Sequence, residues 1–475
     1  MKISEIFQLE KSQAELDFVD IDIRKDIPLF LDPFFLSLRT DNWSTESVRT
    51  IRDFFQRVID LIRNNDIGSA KELFVHLHEP NSTCLGMSKG VPKGRGVGKG
   101  DTDDIFESIL KSNAIQSGLI EDLEDNILFV EGFGKDKLSD MTTNIITNHL
   151  IEYTQNQCKL HDIKMNSDVP SGFYWNRINA QWEQRLTDML VVKGKVILLV
   201  PKGVVSFTKD YTGEKYYQHF VLNFMQNEHL RMKSTLVNKR KNGTLFVTKK
   251  DISELNPYSK EFIADFTRKY PKVLENFKKQ TKISSLNNNE IGDIDIRSLK
   301  QILINGLTEI PKGKDDADKY HKFVTGVLEF IFYPHLISPS LEVKIHDGRK
   351  RIDITFDNAA TDGIFYRLWN ALQLSCQFII IECKNYTGDP KNPELDQLSG
   401  RFSPNKGKVG FLLCREIKNV DKFIASCADT YKDGRGLIVP LQDSDLIEIL
   451  KNHNERENSY LEKLLSERIR LIMVS

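Results

Sequence analysis

The sequence lacks any long apolar run, and its N-terminus lacks the uninterrupted apolar core of a secretion signal. No stretch approaches the ~20 apolar residues that cross a bilayer, and the opening residues MKISEIFQLEKSQAELDF carry charges throughout. We therefore expect no membrane association and a cytoplasmic location. Cysteine is also scarce, with six widely spread residues, and no second pair completes the zinc-like spacing of Cys158 and His161. Reduced cysteines in the core are expected, rather than disulfides or structural zinc.

The chain has almost no net charge, with a total of −1 at pH 7. The charged residues are nevertheless unevenly distributed. Residues 231–282 hold fourteen Lys or Arg against five Asp or Glu, so this stretch carries +9 and the remainder −10. Aromatic residues are interleaved with these bases. The pattern fits either a surface that follows a phosphate backbone or a solvated helical face over core aromatics. The candidate nucleic-acid-binding residues in this stretch are Lys239, Arg240, Lys241, Lys249 and Lys250.

A glycine-rich stretch, GMSKGVPKGRGVGKG at 86–100, invites comparison with a phosphate-binding loop. It fails that motif, because Lys93 stands where the first glycine is needed and Gly100 where a Ser or Thr is needed. Its bases, including Arg95 and Lys99, are further candidates for contact with an anion or a nucleic acid strand. The alternative is a mobile surface loop.

The length of 475 residues predicts several domains rather than one core. We predict an α+β sensing or regulatory region over 1–235, a basic helical connector over 236–315 and a regular α/β domain over 316–475. In the first region, residues 47–64 have apolar positions at helical spacing, whereas YYQHFVLNF at 216–224 suggests a strand. The Ser- and Asn-rich segment 284–293 indicates a loop.

The last third alternates helix and strand signals and contains one unusual strand. Residues 341–346 and 350–356 predict a hairpin across an Asp-Gly turn, and QFIIIECK at 377–384 predicts a buried strand. Strand side chains alternate between faces, so Glu382 and Lys384 point the same way at the end of that strand. If the hairpin pairs with the strand, Asp353 joins them.

Two carboxylates and a lysine at one sheet edge suggest metal-assisted phosphodiester hydrolysis. A hard divalent cation relieves the repulsion between Asp353 and Glu382, and Mg²⁺ prefers carboxylate, water and phosphate oxygens. Lys384 can then stabilise the developing charge on phosphorus or help to deprotonate a water. Without such a cluster, paired charges at the end of an apolar strand would cost desolvation energy.

The order of helix, hairpin with Asp, strand with Glu-x-Lys, helix and strand resembles the PD-(D/E)XK nuclease superfamily, in its restriction-endonuclease-like branch. The stretch IIIECKNYTGDPKNPELDQLSGRF at 379–402 is similar to Mrr-like and related antiphage defence nucleases. The resemblance covers about 319–453. It implies a restriction-endonuclease-like α/β sandwich with a mixed central sheet, so the expected fold class is multidomain α/β.

The resemblance also implies roles for individual residues. Asp353 and Glu382 match the metal-binding acids, and Lys384 matches the catalytic lysine. Gln397 matches a glutamine often found near such sites, and Glu329 matches a helix acid that can join the metal shell, although a salt bridge at the domain rim is an equal alternative. Two further acids, Asp357 and Asp362, are alternatives to Asp353.

As a function, the resemblance implies a Mg²⁺-dependent DNA endonuclease, with Mn²⁺ able to substitute, in bacterial antiphage defence. A homodimer or higher homo-oligomer is expected, since double-strand cuts usually need paired sites, and a partner protein of a defence system is an additional expectation. The competing hypothesis is a catalytically inactive nucleic-acid-binding or scaffold protein on a nuclease fold.

Overall fold

The computed structural model describes residues 1–86, 99–112, 114–206, 211–281, 295–345, 350–386, 388–454 and 459–474. In these ranges the chain is a helix-rich α/β protein. No helix in this part of the chain is both long and apolar enough to cross a membrane. The predicted loop 284–293 and most of the glycine-rich stretch, including Arg95, lie outside the described residues.

The first part of the chain, up to residue 281, contains thirteen described α-helices, several of them short. They are α1 Ile3–Ile6, α2 Pro33–Ser37, α3 Asn42–Arg63, α4 Ile67–Leu73, α5 Lys99–Lys111, α6 Asn126–Phe129, α7 Lys135–Ile145, α8 Thr147–Leu160, α9 Gly213–Tyr216, α10 Leu222–Met232, α11 Lys249–Leu255, α12 Lys260–Lys269 and α13 Pro271–Gln280. Helix α3 begins where Asp41 caps its first turn and buries one apolar face, as its periodicity predicts.

The strands of this part are short and form small antiparallel sheets. They are β1 Phe30–Leu31, β2 Asn166–Pro170, β3 Tyr174–Asn176, β4 Gln181–Glu183, β5 Leu186–Val192, β6 Lys195–Ile197, β7 Val205–Ser206, β8 Asn238–Lys239 and β9 Leu245–Phe246. The strand predicted at 216–224 is wrong, because α9, a π-helical turn Tyr217–Val221 and α10 occupy it. Its aromatic residues mimic a strand, but neighbouring Tyr216 and Tyr217 are both buried, which a half-buried strand does not allow.

The last part, from residue 295, contains seven described helices and one sheet. The helices are α14 Ile296–Glu309, α15 Ala317–Phe332, α16 Gly363–Asn370, α17 Asn392–Ser399, α18 Val420–Lys432, α19 Asp443–Asn452 and α20 Ser459–Val474. The strands are β10 Leu336–Ile345, β11 Lys350–Asn358, β12 Phe378–Lys384, β13 Val409–Cys414 and β14 Leu437–Gln442.

These five strands form a mixed sheet in the order β10-β11-β12-β13-β14. The first three strands are antiparallel, whereas β12, β13 and β14 are parallel. Every residue of β13 is buried, so helices cover both faces of the sheet. The mixed sheet in the C-terminal region is confirmed, and the carboxyl ends of its three parallel strands meet at one edge.

Buried apolar residues fall into two clusters. One contains residues from Ile3 to Phe277. The other contains residues from Leu299 to Ile472 and, from the first part of the chain, Ala14. The helices of the predicted connector divide between them, since α11, α12 and α13 contribute to the first cluster and α14 to the second. The described chain therefore passes from one core to the other between residues 281 and 295.

Candidate active site

Strand pairing brings Asp353 beside the end of β12. Ile354 lies opposite Ile381 in the antiparallel register, so the next residues along, Asp353 and Glu382, also face each other. The carboxylate Oδ2 of Asp353 accepts a hydrogen bond from the backbone N–H of Cys383, at 3.0 Å. The alternation in β11 fixes this register, because a slip of one residue would turn its buried Ile354 and Phe356 to the face on which Asp353 lies.

Glu382 is the centre of a hydrogen-bond network at this edge. Lys384 Nζ donates to Glu382 Oε1 at 2.8 Å and to Gln397 Oε1 at 3.0 Å. Gln397, on α17, also donates from Nε2 to Glu382 Oε1 at 2.5 Å. Four of the residues predicted from the sequence, Asp353, Glu382, Lys384 and Gln397, therefore lie together.

Arg401 completes this network, and sequence reasoning did not single it out. Its guanidinium donates to Glu382 Oε2, and only 8% of its side chain is exposed. Arg401 lies four residues after Gln397, just beyond the end of α17. Because Arg401 is outside the helix, helical spacing does not place it beside Gln397, and the sequence offered no clear signal for its contact with Glu382.

The electrostatics of the site centre on the buried Glu382 carboxyl, which is 1% exposed. Burial and the neighbouring charge of Asp353 raise the pKa of Glu382 to about 7, although Lys384 and Arg401 act in the opposite direction. The carboxylate thus sits near the midpoint of its titration at neutral pH. A perturbed acid of this kind, held beside a second acid and a lysine, is typical of functional sites.

The donor set fits one hard divalent cation held by two protein carboxylates. Asp353 and Glu382 supply oxygen donors, and the charge of Asp353 disfavours ionisation of Glu382, an effect that a cation between them would relieve. Mg²⁺ usually takes only one or two carboxylates and completes its shell with water and phosphate oxygens. In the described ranges no group of three or more His, Cys, Asp or Glu side chains is arranged around a common metal position. Both oxygens of Glu382 already accept hydrogen bonds, so an ion would have to share or displace one of them.

Glu329 lies away from this group. It is in the last turn of α15, whereas Tyr320 in the first turn donates to Asp443 and lies near Cys383. Nine residues at 1.5 Å each put Glu329 ~13 Å farther along the helix. The structure therefore does not bring Glu329 to Glu382.

The surroundings of Glu329 are charged side chains from the first part of the chain, most of them buried. They belong to Lys11, Glu15, Asp17 and Lys202, and the carboxylate itself is 3% exposed. Neither of its oxygens has a hydrogen-bond partner. Burial raises the pKa of Glu329 to about 8. This position matches neither a metal ligand nor a solvated rim salt bridge.

The two alternative acids also lie away from Glu382. Asp357 pairs with Phe378 at the opposite end of β12, ~13 Å from Asp353 at 3.3 Å per residue. The Asp362 carboxylate lies 3.0 Å from His335 Nε2, and its side chain is 81% exposed. Asp353 is thus the acid that the sheet places at the site.

The predicted nucleic-acid-binding residues occupy an exposed hairpin and the helix after it. Lys239, Arg240 and Lys241 are exposed at the hairpin of β8 and β9, and the Arg240 guanidinium lies 5.1 Å from the centre of the Phe246 ring. Lys249 donates to the backbone oxygen of Gln218 at 2.6 Å.

The remaining predicted nucleic-acid-binding residues that the structure describes are Lys250 and Lys99. Lys250 is exposed and lies 3.8 Å from Glu254, and Lys99 begins α5. The nearby aromatic residues Phe266 and Phe277 pack in the first core rather than outward. Tyr270, at the end of α12, is an exposed aromatic residue of this stretch, and a ligand there would otherwise meet mainly basic charge.

Comparison with known proteins finds a family that matches part of the chain. The family described as Domain of unknown function (DUF8370) matches residues 8–212, within the part of the chain that precedes the sheet. No curated protein and no solved structure matches the chain. The match does not extend to Asp353, Glu382 or Lys384.

Proposed function

We propose that the protein is a metal-dependent DNA endonuclease whose active site comprises Asp353, Glu382 and Lys384. The observation that carries the proposal is the meeting of two acids and a lysine at the end of β12, on neighbouring strands of a mixed sheet. The sequence resemblance to restriction-endonuclease-like enzymes supports the same assignment. On this proposal the C-terminal part has a restriction-endonuclease-like fold.

Each residue of the site then has a distinct role. Asp353 and Glu382 would hold the divalent cation, Mg²⁺ or Mn²⁺, which when bound supplies Lewis-acid stabilisation of the phosphate. Lys384 places its ammonium beside Glu382, where it can stabilise negative charge on a scissile phosphate. Gln397 contacts both side chains and so fixes the direction of the lysine. Arg401 balances the charge of Glu382 in the absence of the ion.

One observation favours the competing function, a non-catalytic nucleic-acid-binding or scaffold protein. The formal charges of Asp353, Glu382, Lys384 and Arg401 already sum to zero, and both oxygens of Glu382 are engaged. A site that had lost its catalytic activity would be stable in this arrangement without any ion. Against it, Lys384 and Gln397 have no structural need to converge on an acid next to a second acid.

For the wider function, we propose a DNA substrate and an effector role in antiphage defence. A homodimer or larger assembly would bring two sites to the two strands of a duplex. The region matched by DUF8370 would then restrain or direct the nuclease, with or without a partner protein. The exposed bases of the β8–β9 hairpin are available for phosphate contacts.

The test is a cleavage assay on plasmid DNA, linear duplex and RNA, each with Mg²⁺, Mn²⁺ or a chelator. The parent protein should cut DNA only with a metal, and Asp353→Asn and Glu382→Gln should each lose at least ~100-fold in rate, about 2.7 kcal/mol of barrier. Binding of DNA by the variants should remain within a few-fold, because the change acts on the transition state. A parent protein that binds DNA with every metal but cuts none would favour the scaffold function.

A further inference from the structure

A second concave site lies between the two cores, away from Glu382. It is a cleft of about 410 Å³ whose walls come from α3, α8 and the ends of β10, β11 and β12. Its lining includes Trp43 and Tyr153 from the helices and Ser338 and Asp357 from the strands. The volume falls in the range of small-molecule sites. Both cores contribute to it, so a ligand there would touch both.

The charged side chains that line the cleft are all acidic. Three carboxyl side chains line it, those of Glu46, Glu152 and Asp357, and none of its described lining residues is a lysine or an arginine. The basic partners of these acids are Arg49 and Arg177 beside Glu46 and Arg185 beside Glu152. They are 61%, 39% and 43% exposed, so solvent screens much of their charge. Such a lining repels phosphates and carboxylates and attracts a cation.

The cleft also contains polar atoms that lack partners. Gln157 is completely buried, and both atoms of its side-chain amide lack a hydrogen-bond partner. The hydroxyl of Ser338 is also without a partner. Buried polar atoms are nearly always paired, so two such side chains on one cleft indicate a missing polar ligand or water. An ammonium group could donate to the Gln157 Oε1 and the Ser338 Oγ, which leaves Gln157 Nε2 for a water.

The aromatic wall is held in place by the surrounding structure. Trp43 Nε1 donates to the backbone oxygen of His149 at 3.2 Å, and the rings of Trp43 and Tyr153 meet edge to face with centroids 6.2 Å apart. The backbone N–H of Trp43 also hydrogen-bonds Asp357, whose pKa burial raises well above its ordinary value. Burial therefore favours the protonated form of Asp357 in the empty cleft, and a cation bound beside it and the Trp43 ring would favour the ionised form.

We propose that this cleft binds a small organic cation of the polyamine class, held by Glu152 and Asp357, by Gln157 and Ser338, and by the aromatic ring of Trp43. A metal ion is a poorer occupant, because the described residues include no cluster of three ligating side chains. The inference does not depend on nuclease activity. It assigns a ligand to the junction between the region matched by DUF8370 and the sheet.

The experiment is calorimetric titration of the full-length protein with spermidine, with putrescine and with uncharged 1,4-butanediol, in the absence of DNA. Spermidine should bind with one-to-one stoichiometry, and the diol should not bind. Glu152→Gln and Gln157→Leu should each weaken spermidine binding at least tenfold. The control Glu254→Gln, an exposed acid outside the cleft, should leave it within twofold.

Three results would overturn the proposal. They are the absence of spermidine binding, equal binding of the diol, and binding at many sites that neither Glu152→Gln nor Gln157→Leu changes. Because Glu152 is 54% exposed, its substitution leaves the fold intact, and unchanged binding in that variant alone would already count against the site. Thermal unfolding of each variant confirms that the comparison is made on folded protein.

Discussion

Replacing Glu329 by glutamine should make the protein more stable at alkaline pH while changing little at acidic pH. The carboxyl is 3% exposed, has no hydrogen-bond partner, and has a pKa of about 8 in the folded state because of burial. Below that pKa it is mostly protonated, and glutamine is a close neutral substitute. As pH rises from about 4.5 toward 8, the unfolded protein releases this proton, whereas the folded protein keeps it because Lys11 and Lys202 only partly balance the buried charge.

The size of the effect follows from the two pKa values. The unfolded carboxyl titrates near 4.5 and the folded one near 8. Between these values the folded state binds the additional proton, so stability of the parent falls as pH rises. The loss is about 1.4 kcal/mol per pH unit. Integrated from pH 5.5 to 7.5, the advantage of Glu329→Gln over the parent should grow by about 2.5 kcal/mol.

The assay is urea unfolding of the parent and of Glu329→Gln at pH 5.5, 6.5 and 7.5, followed by tryptophan fluorescence. The stability difference should widen steadily with pH. Glu254→Gln, which changes an exposed acid, should run parallel to the parent. A difference between Glu329→Gln and the parent that stays constant with pH would refute the placement of Glu329 in an uncompensated buried site.

Three further predictions concern the basic hairpin, the network and the N-terminal region. Reversing residues 239–241 to glutamate should weaken DNA binding. The slope of log binding constant against log salt concentration should become shallower by about 0.9 for each phosphate that the hairpin no longer neutralises. An unchanged slope would show that the hairpin is a solvated surface without phosphate contacts. Arg401→Ala should lower the free energy of unfolding by about 3 kcal/mol at pH 8, because it leaves the Glu382 charge buried with one partner fewer. The control Arg435→Ala, which removes a more exposed arginine, should lower it by less than ~1 kcal/mol in the same urea experiment. The fragment 295–475, which keeps nearly all of the second core, should fold by circular dichroism and cut plasmid faster than the full chain; equal rates would show that the first part does not restrain it.

Local sequence signals were sufficient for much of the sheet. The apolar run before Glu382 and the alternation around Asp353 predict β12 and β11, and the structure places these strands at Phe378–Lys384 and Lys350–Asn358. The predicted turn between β10 and β11 lies outside the described residues. The register of the two strands then follows from the alternation in β11, since only one facing keeps Ile352 and Ile354 in the core and Asp353 away from it.

Local sequence signals did not predict the positions of side chains that depend on contacts between segments distant in sequence. The helical spacing around Glu329 predicts α15 but not how far along the sheet the helix docks, and its neighbours Lys11 and Lys202 come from the other core. Arg401 lies in no element, so its contact with Glu382 required the bend after α17. The cleft at Trp43 could not be predicted, because its walls are separated by roughly three hundred residues.

The central claim is tested most directly by nicking of supercoiled plasmid with Mg²⁺, comparing the parent with Lys384→Ala. The control is Lys451→Ala, which removes an exposed lysine on α19 that pairs with Glu448. If Lys384 stabilises the charge of the scissile phosphate, its loss should slow nicking at least ~100-fold, while Lys451→Ala should cut at the parent rate. Lys384→Ala that nicks as fast as the parent would contradict the account.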